Sequence, residues 1–163
     1  MNMVSVSDLA SAAAAIAVTV GIALALQQLR DLRKVREGEV VLKLQESLTG
    51  ALLEDLWMVM RFEYDDYKDF KVKYSGKREE TAFLRVGVFF EGLGVLVRRG
   101  IVPLRLVDDF FHGVTLAAWK KSEKAIQGYR EEHNWKEFEE QFEYLYGRVK
   151  SFRESTAHPE IKR

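Results

Sequence analysis

Cysteine is absent from the sequence, and proline is scarce. Without a thiol the chain can form no disulfide framework, thiolate metal site or cysteine nucleophile. The only prolines are Pro103 and Pro159, and since proline interrupts helices, this scarcity favours long helices. The period-two alternation of strands is also missing, as are internal repeats and low-complexity linkers. The sequence therefore predicts an all-α fold.

Charge of either sign is nearly missing from the first 29 residues, where Asp8 is the sole charged side chain. The chain from residue 30 onward carries all 25 Lys and Arg and 24 of the 25 Asp and Glu, a net charge of 25 − 24 = +1. A general nucleic-acid binder usually carries a basic excess on one face. We therefore expect no nucleic-acid partner.

Recognisable catalytic sequences are missing as well. The chain contains no Walker A loop, no G-x-G-x-x-G, no G-x-S-x-G and no H-E-x-x-H. Each of these motifs would have indicated a phosphate-binding loop, a catalytic nucleophile or a zinc site. We therefore expect a protein that is not an enzyme and that has no cofactor and no metal.

The uncharged stretch Leu9–Leu29 is the most apolar part of the chain. As a helix it would be about 31 Å long, close to the roughly 30 Å hydrocarbon thickness of a bilayer. A basic cluster follows it, which places the C-terminal side in the cytoplasm and the N-terminus outside. We predict a single-pass membrane protein in the lipid bilayer; a cleaved signal peptide and a buried core helix are the alternatives. The residues expected to set the orientation and touch headgroups are Arg30, Arg33, Lys34 and Arg36.

Small residues recur every four positions along this stretch. They are Ala13, Ala17, Gly21 and Ala25. Such a stripe lets helix backbones approach closely, so it indicates self-association or docking onto another membrane subunit. A chance stripe in an alanine-rich helix is the equal alternative.

The remaining chain predicts a helical bundle of about four to five helices. The predicted organisation is a transmembrane anchor at 1–29, a helical extension at 30–50, a cytoplasmic bundle at 51–154 and a flexible tail at 155–163. Within the bundle the apolar spacing predicts helices over Ala51–Arg61, Lys77–Arg99 and Pro103–His133. We interpret 62–75 as a polar, aromatic connection.

Asn134 and Glu137 have the spacing of a capping box, which predicts that a last helix begins there. Its apolar residues follow a heptad-like 3-4-3-4-3 spacing. These residues are Trp135, Phe138, Phe142, Leu145, Val149 and Phe152. Because the repeat is short, packing inside the bundle is favoured over a separate coiled coil.

Glu91 is the only charged residue between Val86 and Val97, a stretch apolar enough to be buried. A buried carboxylate must be paired, protonated or bound to something. We expect a structural hydrogen bond or salt bridge, with Arg85 or Trp119 as partner. A proton or metal site at Glu91 is the alternative.

Two further polar clusters are weaker candidates. Asp108 and His112 share one helical face beside Asp109, but the Glu-x-x-His pairs of di-metal bundles are absent. The acidic residues Glu63, Asp65, Asp66 and Asp69 lack the spacing of an EF-hand. We interpret the first cluster as packing and the second as a solvated surface.

Several apolar segments in the second half of the chain form a distinctive series. They are Phe90-Glu91-Gly92-Leu93-Gly94, Leu96-Val97, Gly100-Ile101-Val102, Leu106-Val107 and Phe110-Phe111, with Trp119 downstream. In these residues the chain resembles a prokaryotic family of short proteins with one N-terminal membrane helix and a helical cytoplasmic domain of unknown function. The resemblance implies the architecture and leaves the function open.

Together these features favour a non-catalytic accessory, scaffold or interaction subunit at the cytoplasmic face of the membrane. The expected partners are a second copy of the chain or the other subunits of a membrane protein complex. The alternative is a membrane-tethered sensor or effector that binds a small ligand or cation in the bundle near Glu91.

Overall fold

The computed structural model describes residues 6–157, which form helices joined by short turns, with no strand among them. The helices are α1 (Val6–Ser47), α2 (Ala51–Met60), α3 (Tyr67–Tyr74), α4 (Arg78–Arg98), α5 (Leu104–His133) and α6 (Glu140–Ala157). The chain divides into two compact units, Met1–Lys43 and Leu44–Arg163. The prediction of an all-α protein is confirmed.

The first unit contains α1 up to Lys43, and this helix is continuous from the apolar stretch into the basic cluster. Gly38 lies inside the helix and does not interrupt it. The chain turns only after Ser47, where the hydroxyl of Thr49 donates to the carbonyl of Glu46 at 2.6 Å and Gly50 takes a positive φ of 61°. This conformation suits glycine, which has no Cβ to clash.

Among the residues that the structure describes, no helix is both long and apolar enough to cross a membrane. A span needs about 20 consecutive apolar residues. Helix α1 does not meet this condition within the part that the structure describes. The absence of such a helix among the described residues contradicts the predicted localisation. A single-pass membrane protein with its N-terminus outside and its C-terminal domain cytoplasmic is therefore not supported.

The second unit is a bundle of α2 to α6 with α4 at its centre. Helix α4 packs most extensively on α6 and α2, and it also contacts α3 and α5, while α5 packs along α6. The core lies between these helices and is almost entirely apolar and aromatic. Its fully buried side chains include Val59, Val86, Phe90, Leu93, Trp119, Ile126, Phe142, Leu145 and Val149.

Helix α4 buries one face and is not buried all round. Its buried face repeats at helical spacing, through Phe83, Val86, Phe90, Leu93 and Val97. On the opposite side Val88 is 68% exposed. Two glycines allow the close packing: a Cβ on Gly94 would collide with the backbone carbonyl of Gln141, and a Cβ on Gly87 with the carboxyl of Glu139.

Two parts of the bundle differ from the sequence expectations. The connection 62–75 contains α3, whose first turn is capped because the carboxylate of Asp66 accepts the N–H of Asp69 at 2.9 Å. Asn134 does not open a helix but closes α5, in the left-handed conformation with φ 49°. The last helix begins six residues later, at Glu140.

The predicted apolar repeat of the last helix packs inside the bundle. Phe138, Phe142, Leu145 and Val149 are buried and Phe152 is half-buried, whereas Trp135 is exposed in the turn before α6. Helix α6 continues to Ala157, past the start of the predicted tail at 155. Residues 158–163 lie outside the described part of the chain.

Candidate functional site

Glu91 acts as a hydrogen-bond acceptor for the start of α6. Its Oε2 accepts the backbone N–H of Phe142 at 2.8 Å. The first N–H groups of a helix have no partner within the helix, so Glu91 supplies from α4 an acceptor for one of them. The expected hydrogen bond is present, but neither expected partner provides it.

Arg85 and Trp119 have other roles. The guanidinium of Arg85 reaches the buried carboxylate of Asp55 at 3.3 Å and so links α4 to α2. Trp119 is buried, with its ring edge-on to Phe142 at a centroid distance of 5.1 Å and stacked on Tyr146 at 5.7 Å. Trp119 therefore packs against Phe142, and Glu91 binds the N–H of that same residue. No hydrogen bond between Trp119 and Glu91 is described.

A second carboxyl group lies at the same junction and was not expected from the sequence. Glu139 precedes α6 and is only 5% exposed, with its carboxyl pressed against Gly87 of α4. Its backbone φ is +55°, a left-handed conformation that costs a non-glycine residue roughly 1–2 kcal/mol. Its Oε2 is buried without a hydrogen-bond partner.

The surroundings of Glu139 favour its neutral form. The pKa of this carboxyl is raised from 4.5 to about 8, mainly by burial and also by the nearby negative charge of Glu91, with the guanidinium of Arg130 lowering it in part. Desolvation and a like charge both penalise the ionised form. The carboxyl of Glu139 is therefore mostly protonated at neutral pH.

Arg130, near the end of α5, completes the junction. Its Nε donates to the carbonyl of Phe138 at 2.8 Å and its Nη1 to Oε2 of Glu143 at 2.7 Å. Its Nη2 is buried without a partner. We call Glu91, Glu139 and Arg130 the carboxyl junction. This junction lies at the start of α6 and contains one carboxyl group whose pKa is about 8.

The carboxyl junction has few donors for a metal. Within residues 6–157 as described, no three or more His, Cys, Asp or Glu side chains are grouped so that they could hold a metal ion. Two carboxyl groups beside a guanidinium would leave a divalent cation short of oxygen ligands and next to a positive charge. The chemistry that the junction supports is proton binding.

Asp108 and His112 lie together, as their spacing predicts, and Arg153 of α6 joins them. The guanidinium of Arg153 donates to Oδ1 of the buried Asp108 at 2.7 Å and contacts Nδ1 of His112 at 2.9 Å. The same Nδ1 lies 2.8 Å from the carbonyl of Asp108, which can only accept, whereas an arginine can only donate, so the tautomer of His112 decides which of the two contacts is a hydrogen bond. The cluster ties α5 to α6 and resembles a structural network. Asp109 instead faces Arg105 on the exposed side, at 3.8 Å.

The acidic residues before α3 are used for local structure. Asp66 caps α3, and Asp69 accepts the backbone N–H of Asp65 at 3.0 Å and the ammonium of Lys73 at 2.7 Å. The hydrogen bond from Lys73 lowers the pKa of the Asp69 carboxyl. Glu63 contributes its carbonyl, which accepts from Lys73 at 3.0 Å. These groups satisfy each other.

The residues predicted to pack or orient α1 are only partly described. Gly21, Ala25 and Arg30 are exposed. The side chains of Ala13, Ala17, Arg33, Lys34 and Arg36 lie outside the described residues. The described part of α1 has many exposed large apolar side chains; those up to Leu29 were predicted to lie in the lipid, and those beyond it in the helical extension. These are Val18, Val20, Ile22, Leu24, Leu26, Leu29, Leu32, Val35 and Leu42, each between 52% and 64% exposed.

Comparison with known protein families identifies a family for this chain. A family described as a domain of unknown function, DUF4760, matches residues 13–149, which include most of α1 and the bundle up to Val149. No curated protein and no solved structure is significantly similar to the chain. The match supports a family without an assigned function; it supports neither the membrane helix nor the prokaryotic origin that the resemblance had implied.

Proposed function

The chain belongs to the DUF4760 family, whose description names no activity, and we propose from its structure that it is a non-catalytic interaction protein that self-associates through α1. In this role α1 pairs with α1 of a second copy, and each copy brings one helical bundle into the assembly. The observation that carries the proposal is the row of exposed large apolar side chains on α1.

Exposed apolar surface of this extent needs a cover. Single exposed apolar residues are normal on proteins, but a contiguous apolar surface marks an interaction site. The side chains from Val18 to Leu32 are more than half exposed wherever large apolar residues are described. Burying such residues contributes about 1.5–3 kcal/mol each. Association that buries these side chains would therefore be favourable for α1.

The spacing on α1 favours an identical helix as the occupant. Val18, Ile22, Ala25, Leu29 and Leu32 follow one another at intervals of four and three residues and form one seam. A seam of this period fits an identical seam by knobs-into-holes packing. Gly21 and Ala25 are small and let the two backbones approach. No charged side chain interrupts the seam before Arg30, so two copies do not repel each other there.

Mass measurement by sedimentation in a mild detergent tests this proposal, since the detergent keeps an apolar helix from aggregating. We expect the full chain to be a dimer or higher oligomer. The double variant Ile22→Ala with Leu29→Ala should raise the dissociation constant at least tenfold, about 1.4 kcal/mol, because it removes side chains from the seam.

A matched control is available on the same helix. Val20 and Leu24 are equally apolar and exposed, but they lie about half a helical turn away from Ile22. The double variant Val20→Ala with Leu24→Ala should leave the mass unchanged. A monomeric wild-type chain, or equal weakening by both double variants, would rule out the seam.

A second candidate function is a sensor that binds a small ligand near Glu91. It is favoured by two buried atoms of the carboxyl junction that have no partner, Oε2 of Glu139 and Nη2 of Arg130. A mass spectrum of the purified native protein would test it, together with the thermal stability of Glu91→Gln. A native protein without a bound ligand, and a variant of unchanged stability, would end this candidate.

A further inference from the structure

We propose that the carboxyl group of Glu139 is a proton-binding site whose occupancy holds the first turn of α6 against α4. The ligand of this site is a proton, and its release detaches the start of α6. The inference depends neither on the self-association of α1 nor on a bound small ligand or cation, because it concerns only the bundle.

The packing around Glu139 suits a neutral carboxyl group. Its side chain is almost completely buried, and its carboxyl fits against α4 at Gly87, where any larger residue would collide with it. Its left-handed backbone conformation holds the carboxyl in this position. A buried ionised carboxylate needs hydrogen-bond donors, and Oε2 of Glu139 has none.

Of the charged groups around the start of α6, only Arg130 favours an ionised Glu139, and it makes no described hydrogen bond to the Glu139 carboxyl. On α4 these groups are Glu91 and Arg98, on α5 Arg130 and His133, and on α6 Glu140 and Glu143. Arg98 binds the side chain of Gln141 at 3.1 Å and lies 3.6 Å from Glu140. Nε and Nη1 of Arg130 bind the carbonyl of Phe138 and the carboxylate of Glu143, and its Nη2 makes no hydrogen bond.

His133 lies close in sequence but is engaged elsewhere. Its Nε2 is 3.7 Å from Glu132, and its ring packs on Tyr129 at a centroid distance of 4.2 Å. Glu91 remains as a like charge, held in place by the N–H of Phe142. An ionised Glu139 would therefore be buried beside another carboxylate, with no hydrogen-bond donor for its Oε2.

Loss of the proton makes the buried position of the Glu139 side chain unfavourable. The ionised carboxyl regains its hydration only by moving away from Gly87 into water. Because Glu139 directly precedes α6, and its carbonyl accepts the N–H of Glu143 at 3.2 Å, this movement disturbs the first turn of the helix. The same turn carries the hydrogen bond from Phe142 to Glu91. One proton thus controls the contact between α4 and the start of α6.

The pH range follows from the pKa of this carboxyl, which is about 8 in the folded chain against 4.5 without its surroundings. Below pH 4.5 the carboxyl is protonated in both the folded and the unfolded chain, and it does not lower the folding stability. Between pH 4.5 and 8 the unfolded chain loses the proton while the folded chain keeps it, so folding stability falls as pH rises. Above pH 8 both states are ionised and the loss is complete.

The variant Glu139→Gln imitates the protonated form and tests the inference in the full chain. Denaturation from pH 4.5 to 9 should show that the unfolding equilibrium constant of the native protein rises relative to the variant, by up to about tenfold per pH unit until pH 8. His133→Gln removes a neighbouring titratable group and should keep the native pH dependence. A constant ratio between native protein and Glu139→Gln across this range would overturn the proposal.

Hydrogen exchange and infrared spectroscopy give readouts that a merely stabilising substitution would not change. At pH 9 the amides of residues 140–143 should exchange faster in the native protein than in Glu139→Gln, and at pH 6 equally fast. In the native protein the infrared band of a protonated carboxyl group should persist at pH 7 and vanish as the pH rises through 8. If Glu139→Gln does not fold, this band decides alone, and its absence at pH 7 would overturn the proposal.

Discussion

At the scale of single residues, the closeness of α4 and α6 depends on positions where a side chain would not fit. Gly94 faces the backbone of Gln141, whereas Gly92, two residues earlier on the same helix, has nothing within 4 Å of where its Cβ would lie. Both glycines have a helical backbone, so neither needs the conformational freedom of glycine. They differ only in the space around them.

This difference predicts opposite effects of the same substitution. Gly94→Ala should destabilise the bundle by roughly 1–3 kcal/mol, because the methyl group meets a carbonyl that cannot move without shifting α6. Gly92→Ala should stabilise it by about 0.5–1 kcal/mol, because alanine has the higher helix propensity. Urea denaturation of both variants measures this, and a destabilising Gly92→Ala would show that the space at Gly92 is not free.

The sequence identified one half of the carboxyl junction and missed the other. Glu91 is conspicuous because it interrupts an apolar stretch, and the expected structural hydrogen bond is present. Glu139 is not conspicuous, because its neighbours Glu137 and Glu140 are charged and exposed. Its burial results from a left-handed backbone and from Gly87 on another helix, neither of which a local pattern encodes.

At the scale of helices, sequence periodicity located the long elements well. The predicted helices at Ala51–Arg61, Lys77–Arg99 and Pro103–His133 correspond closely to α2, α4 and α5. Helix α3 was missed because its eight residues are polar and aromatic and carry no apolar period. It forms because Asp66 caps it and because Phe70 packs its ring on Phe62 and Phe83. Tertiary packing therefore determines the structure of this segment, whose sequence has no apolar period.

The cap of α3 leads to a prediction for this helix. Asp66→Ala removes the acceptor for the N–H of Asp69 and should cost about 0.5–2 kcal/mol, the usual value of an N-cap. Hydrogen exchange should accelerate mainly in residues 67–74. Asp65→Ala provides the matched control, since Asp65 contributes its backbone N–H and keeps it. Equal acceleration in both variants would contradict the role of the cap.

At the scale of the whole molecule, the chain consists of two compact units whose boundary lies at Lys43 and Leu44. The second unit contains its own buried core, which is the property of a domain that folds alone. The expected boundary at residue 50 was placed at the turn after α1, whereas Leu44 near the end of that helix is already buried in the second unit. A helix boundary and a domain boundary thus need not coincide.

Removal of residues 1–43 tests this division. We expect the remaining chain to keep the thermal unfolding midpoint of the full-length bundle, because the core of the second unit lies within Leu44–Arg163. It should also be monomeric, since the seam on α1 has been removed. Calorimetry and sedimentation measure the two properties separately. An unfolded remainder would refute the independence of the bundle, and an oligomeric remainder would refute the role of α1.

The hydrogen bond from Phe142 to Glu91 also orders events in time. It joins groups 51 residues apart, so the first turn of α6 takes its cap from a helix that leaves the ribosome earlier. Local structure forms before contacts between distant residues, because closing a long loop costs chain entropy. Helix α4 is thus a template on which α6 begins, and a nascent chain that ends before residue 142 leaves Glu91 without this partner. Completion of the bundle therefore waits for its last helix.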